Sequence, residues 1–182
     1  QTGATSGSQR PGSQRPGSQQ RRIDVGIEIE RKFRVHGEAW RTGATGTRFR
    51  QGYLVANPSR SVRVRVAGST ATLTIKGAAQ GALRAEFEYT IPLADAETLL
   101  ETLCERPLIE KTRWLCAWQG YLWEVDEFEG DNAGLVIAEL ELAHPSERPP
   151  LPPWVGEEVT DDPRYLNANL IRHPWRDWGD TA

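Results

Sequence analysis

Ser61-Val62-Arg63-Val64-Arg65-Val66-Ala67, then Gly68-Ser69, then Thr70-Ala71-Thr72-Leu73-Thr74-Ile75-Lys76 is the stretch whose reading decides the fold. Each half alternates with a period of two, aliphatic side chains on one face and arginine, threonine or lysine on the other. Successive side chains of a strand point to opposite faces, so the stretch reads as a β-hairpin turning at Gly68-Ser69. The same period recurs outward in both directions. Ile27, Ile29 and Phe33 alternate with Glu28, Glu30 and Lys32, and Phe87, Tyr89 and Ile91 alternate with Glu86, Glu88 and Thr90. Further strands fit 48–56, 108–118, 121–129 and 135–142, making eight in all. Asn57-Pro58, Gly77 to Gly81, Gln119-Gly120 and Gly130-Asp131-Asn132 supply turns between them.

Only two stretches have a helical pattern. Residues 94–105 carry Leu99, Leu100 and Leu103 on one side, and 163–172 opens with Asp162 as N-cap and Pro163 at the first helical position. Residues 145–153 hold five of the twelve prolines and read as an extended connector. The expected fold is mainly β (α+β), antiparallel, with a few flanking helices.

A chain of 182 residues with 38% hydrophobic and 26% charged residues is long enough for a real core and too mixed for wholesale disorder. Residues 1–22 are the exception: a Gly/Ser/Gln/Arg/Pro repeat with no apolar residue after Ala4, expected to be a disordered tail before one domain over 23–182. The chain opens on Gln1, which leaves room for residues upstream. No apolar run is long enough to span a membrane, and the spacing of Cys104 and Cys116 suits neither a metal site nor a disulfide framework. A cytoplasmic protein is expected. The tail contributes four arginines and no acid, so the body is more acidic than the net charge of −3 suggests. Such a body does not suit nucleic acid, which binds clustered positive charge.

The polar face of nearly every strand is ionic. Its acids are Glu28, Glu30, Glu86, Glu88, Glu124, Asp126, Glu139 and Glu141; its bases are Lys32, Arg63, Arg65, Lys76, Arg84, Lys111 and Arg113. All three lysines of the chain, against nineteen arginines, are among them. Alternation usually means a solvated outer face, but a solvated face is diluted with Ser, Thr, Asn and Gln. Same-sign pairs also recur two residues apart: Glu28/Glu30, Arg63/Arg65 and Glu139/Glu141. Such neighbours sit about 7 Å apart on one face and repel unless an opposite charge lies between them. A divalent cation does this for carboxylates and a phosphate for arginines. Eight strands also roughly suffice to close a barrel around one small ligand. The residues therefore predict an eight-stranded closed barrel, a tunnel whose charged lumen suits Mg²⁺ or Mn²⁺ and a polyphosphate.

Glu28-Ile29-Glu30-Arg31-Lys32 resembles the E-x-E-x-K signature of the CYTH domain, the fold of the triphosphate tunnel metalloenzymes. It is followed in order by Arg63-Val64-Arg65, Thr74-Ile75-Lys76, Arg84-Ala85-Glu86-Phe87-Glu88, Glu110-Lys111-Thr112-Arg113, Glu124-Val125-Asp126 and Glu139-Leu140-Glu141. The resemblance implies an eight-stranded tunnel that binds a triphosphate lengthwise and hydrolyses it with divalent metal. By position, Glu28, Glu30, Asp126, Glu139 and Glu141 are the implied metal ligands. Lys32, Arg63, Arg65, Lys76, Arg84, Lys111 and Arg113 are the implied phosphate contacts. Glu28, Glu30, Lys32, Lys76, Lys111, Glu139 and Glu141 form the implied catalytic set. The C-terminal helix, which plugs the tunnel in the family, lacks lysine here, so a phosphate contact from that end falls to Arg164 or Arg172.

Three strings resemble the short bacterial branch associated with inorganic tripolyphosphate: Arg50-Gln51-Gly52-Tyr53-Leu54, Pro152 to Thr160, and Arg164-Tyr165 with Asn167. The implied reaction is tripolyphosphate to pyrophosphate and phosphate. The alternatives are a class IV adenylyl cyclase, a thiamine or nucleoside triphosphatase, or a non-catalytic polyphosphate- or nucleotide-binding module. A monomer or homodimer acting on a small molecule, without nucleic acid or membrane, is expected. Tyr53 reads as packing and Cys104 and Cys116 as small buried hydrophobes. His36, His144 and His173 read as surface residues. Trp114, Trp123 and Trp154 read as an outer apolar shell, and Trp175 and Trp178 as pins for the C-terminus.

Overall fold

The structure, a computed structural model, describes residues 29–57, 59–80, 83–144 and 146–179, without the side chains of residues 79, 80, 83 and 84. The expected tail 1–22, Ile27 and Glu28 lie outside the described residues, as does the Arg84 side chain. In chain order the elements are β1 (Ile29–Val35), β2 (Thr45–Asn57), β3 (Arg60–Ala67), β4 (Thr70–Gln80), β5 (Leu83–Thr90), α1 (Leu93–Thr102), β6 (Ile109–Trp118), β7 (Tyr121–Phe128), β8 (Val136–Leu142), β9 (Val155–Glu158) and α2 (Asn167–Leu170). Every strand pairs antiparallel, in the order β5-β4-β3-β2-β6-β7-β8-β1-β9. The β6–β7 hairpin turns on Gln119 and Gly120, both at positive φ (44° and 87°), the conformation a two-residue hairpin loop needs to match strand twist.

Two expectations about the sheet are corrected. There are nine strands among the described residues rather than eight, and the sheet is not closed. The extra strand, β9, takes the second edge of β1, pairing Phe33 with Glu158 and Val35 with Val155. The edge that a barrel would offer to β5 is thereby occupied, and β5 and β9 remain the margins of a curled, open sheet.

The helices are also shorter than expected. The first ends at Thr102, and Leu103 is 64% exposed instead of packing with Leu100. The second stretch is broken by Leu166, whose backbone is extended. A 3-10 turn, Pro163–Tyr165, precedes it and α2 follows. The Asp162 cap stands as read: its carboxylate accepts the Arg164 backbone N–H at 3.0 Å.

Alternation sorts the side chains onto two surfaces. Outside, Phe33, Trp123, Val125, Ala138, Leu140 and Trp154 form one core cluster, which the partly buried Trp114 joins. Val64, Val66 and Ala71 form another with Ala96 and Leu100 of α1. β2 leans closely on the segment after α1: a Cβ on Gly52 would lie 2.7 Å from the Cys104 Cβ, so only glycine fits. On the inner surface one end is apolar. There Tyr53, Ile109, Phe128 and Ile137 pack with Tyr165, Leu170 and Ile171, and Trp175 and Trp178 join them from the C-terminal segment. Both cysteines are free and buried, and all three histidines are exposed. The remainder of the inner surface is ionic.

Candidate active site

The ionic part of the inner face surrounds a cavity of about 630 Å³. Charge changes sign across it in strand order. Glu86 and Glu88 of β5 line one margin, and Lys76 of β4 stands beside them. Arg63 and Arg65 of β3 and Lys111 and Arg113 of β6 follow on either side of Tyr53, which β2 contributes. Glu124 of β7, Glu139 and Glu141 of β8, and Glu30 with Lys32 of β1 complete the far wall. One end is covered by the segment from Leu166 to Asn169 and by Arg172.

Register brings distant parts of the chain together. Lys32 stands opposite Glu139 and Glu30 opposite Glu141 on the β1–β8 ladder. The Lys32 Nζ donates to Glu30 at 2.7 Å and also to Glu139. Arg113 pairs with Glu124 and Glu139, and it grips Asp126 with two hydrogen bonds of 2.7 Å. Lys111, 2% exposed, donates to the same Asp126. Lys76 pairs with Glu86 at 2.9 Å, and the Thr74 hydroxyl donates to Glu88 at 2.8 Å. Arg63 and Arg65 differ from the other bases: among the described residues neither forms an ion pair with a carboxylate, and the buried Nε of each has no acceptor.

Of the residues expected at the site, Glu30, Lys32, Arg63, Arg65, Lys76, Lys111, Arg113, Glu139 and Glu141 line one cavity. Asp126 and Arg164 stand apart from it. Asp126 is fully buried, with both carboxylate oxygens taken by Lys111 and Arg113. Arg164 is turned away by its own cap. It pairs with Asp162 at 2.6 Å and lies 4.9 Å over the Trp178 ring, while Arg172, just past the end of α2, reaches the cavity. Tyr53 does pack in the apolar end but also faces the cavity. Reading the residues in turn missed Gln51, although it shares the inner phase of β2 with Phe49 and Tyr53.

Burial shapes the ionisation of the cluster. Burial, with the charge of Glu139, pushes the Glu30 carboxyl up to about 7, against the pull of Lys32. Burial also opposes ionisation of Glu139, but Lys111, Lys32 and Arg113 together hold its carboxyl well below the usual range. Of the two carboxyls, Glu30 is therefore the one that takes up a proton first as pH falls. Burial drives the Lys111 ammonium down despite Asp126. Burial and the charges of Arg63 and Arg113 push the Arg65 guanidinium down to about 10.

Because the Glu30 value is raised on folding, its contribution to stability is present below pH 4.5 and lost as pH rises through about 7. In chelator, the melting midpoint of wild type should fall relative to Glu30→Gln on the order of 5 °C across that window. Parallel profiles for the two proteins would refute the shift.

The arrangement can be set beside known proteins. Residues 26–173 match the CYTH domain. The inorganic triphosphatase of Acetivibrio thermocellus is 49% identical over 154 residues, covering 85% of this chain and 99% of that protein. The inorganic triphosphatase of Nitrosomonas europaea is 36% identical over 151 residues, covering 79% and 95%. The crystal structure of the inorganic triphosphatase NE1496 superposes with a TM-score of 0.59 at 34% identity, covering 79% of this chain and 93% of that one. The CYTH match begins before β1 and ends past α2, taking in every strand that builds the cavity, and the chain belongs to the CYTH domain family.

Proposed function

We propose that the cavity is the active site of a divalent-metal-dependent triphosphatase that splits inorganic tripolyphosphate into pyrophosphate and phosphate. The observation that carries this is the pair Arg63 and Arg65, adjacent on one face of β3 and without a carboxylate partner among the described residues. Two half-buried guanidiniums, each with a buried Nε that lacks an acceptor, are costly unless an anion completes them, and planar guanidinium forks suit phosphoryl oxygens. The relatives named inorganic triphosphatase, matched almost end to end, support the same substrate class.

The carboxylates fit a hard divalent cation such as Mg²⁺ or Mn²⁺. Among the described residues no three acidic, histidine or cysteine side chains already gather around one point. Glu30 and Glu141 nevertheless face each other across the β1–β8 ladder, and Glu141 has no basic partner among the described residues. Glu30, Glu139 and Glu141 are the described residues that would hold the ion, with Glu28 preceding them in sequence on the same alternation. When bound, a divalent cation supplies Lewis-acid neutralisation of charge on the phosphoryl oxygens.

The remaining work belongs to the chain. Arg63 and Arg65 bind the phosphate chain from β3. Lys32 on the far wall and Arg113 on β6, both in contact with Glu139, provide further positive charge. Lys111 and Arg113 are held in place by Asp126. Phosphoryl transfer asks mainly for such positioning and charge neutralisation, and needs no side-chain nucleophile. Water attacks the terminal phosphorus, the bridging P–O bond breaks, and the leaving pyrophosphate takes the electron pair. The segment from Leu166 to Arg172, closing one end, favours a compact linear polyphosphate over a nucleotide with its base and ribose.

Phosphate release from tripolyphosphate, ATP and thiamine triphosphate, with Mg²⁺, with Mn²⁺ and with chelator, tests this reading. The expected result is chelator-sensitive release fastest on tripolyphosphate. No release, with tripolyphosphate still raising the melting temperature, would identify a binding module. Cyclic AMP formed from ATP would identify a cyclase.

A further inference from the structure

Among the described residues, one more inner-face side chain joins the Nε atoms of Arg63 and Arg65 in having buried polar atoms without a partner. Gln51, in the middle of β2, is fully buried, and neither its amide oxygen nor its amide nitrogen has a hydrogen-bond partner. An amide bare in the interior costs stability that an isosteric leucine or methionine would not. Its surroundings show what the group offers. Gln51 stands directly opposite Arg65 on the β2–β3 ladder, where facing side chains are about 5 Å apart. The diagonal neighbours are Arg63, opposite Tyr53, and Lys111, opposite Phe49. All three are donors with no acceptor capacity. Gln51 therefore places an uncharged acceptor among cations, next to an Arg65 Nε that has no acceptor. A carboxylate there would cancel the charge that an anion needs, and an aliphatic side chain would leave the guanidinium without a hydrogen-bonded anchor. Arg65 instead rests 5.6 Å over the Phe49 ring.

We infer that Gln51 is a positioning residue of the phosphate site: the two groups are bare in this structure, and when a polyphosphate occupies the cavity the Gln51 amide oxygen accepts the Arg65 Nε–H and so aims the terminal N–H groups of Arg65 at phosphoryl oxygens without neutralising the guanidinium. The inference rests on the proposed function, since it presumes a polyphosphate in the cavity.

The test is calorimetric binding of tripolyphosphate to the full chain in chelator, with melting temperatures alongside. Gln51→Leu should melt at or above wild type and bind about tenfold more weakly, the equivalent of one hydrogen bond to a charged group. In an Arg65→Lys background, which lacks Nε, the same substitution should change affinity less than about twofold, because Gln51 acts through that atom. Gln51→Glu should keep its melting temperature yet weaken binding about a hundredfold, as its carboxylate neutralises Arg65. Gln51→Leu binding like wild type, or losing equally in both backgrounds, overturns the role of Gln51 alone. If Gln51→Leu does not fold, Gln51→Glu decides: binding like wild type overturns the assignment. A wild-type chain that binds no tripolyphosphate overturns both this inference and the proposed function.

Discussion

Asp126→Ala should lower stability by about 3–5 kcal/mol, a loss on the order of 10 °C in melting midpoint, measured in chelator. Asp126 is fully buried, and it is the acceptor for both Lys111, 2% exposed, and Arg113. Among the described residues, removing it leaves an ammonium in the interior without its one hydrogen-bonded carboxylate, and a guanidinium short of one of three. An uncompensated buried charge is among the few single changes that cost this much. The measurement also separates two roles for the residue. A metal ligand would show its loss chiefly in the presence of metal. A variant that melts with wild type in chelator, and falls behind it only when Mg²⁺ is added, would contradict the ion-pair account.

Glu30→Ala should abolish tripolyphosphate turnover, by about a thousandfold or more, which matches the several kcal/mol that a metal contributes as Lewis acid. It should leave tripolyphosphate binding in chelator within a few fold of wild type. The two effects separate because Glu30 faces Glu141 on the carboxylate wall, whereas Arg63 and Arg65, unpaired among the described residues, stand on β3. Removing Glu30 also leaves Lys32 with Glu139 as its carboxylate, so the ammonium stays paired. Phosphate-release kinetics with Mg²⁺ and calorimetry without it would report both. Equal loss of turnover and binding would refute the assignment of Glu30 to the metal.

The β character and the inner phase of each strand were legible because alternation is a local signal. Val62, Val64 and Val66 against Arg63 and Arg65 declare two faces within seven residues. What joined those faces was not legible. Lys32 and Glu139 are partners over 107 residues of separation, and nothing local to either names the other. Asp126 shares the phase of Glu124, so its withdrawal between Lys111 and Arg113 has no sequence signal. The sequence places Arg164 on one helix with Arg172, but the extended backbone of Leu166 breaks that helix and turns the two apart. β9 is four residues long, too short to show a period, and it alone changes the strand count. Counting strands says how many there are, not which edges meet, so closure was beyond reach. Gln51 was within reach, as an amide flanked by aromatic residues on an ionic face.

The open margin between β5 and β9 bears on the girth of the site. In a closed barrel, strand number and stagger set the radius, and the backbone itself acts as a hoop. A curled strip has no hoop, and its bore follows the twist from strand to strand. In this chain ion pairs between neighbouring strands, Lys76 to Glu86 near one margin and Lys32 to Glu139 near the other, add side-chain ties to the ladders whose twist sets that bore. On the proposed function, the ammonium groups that would face the anion are thus also tied into the strands that set its space.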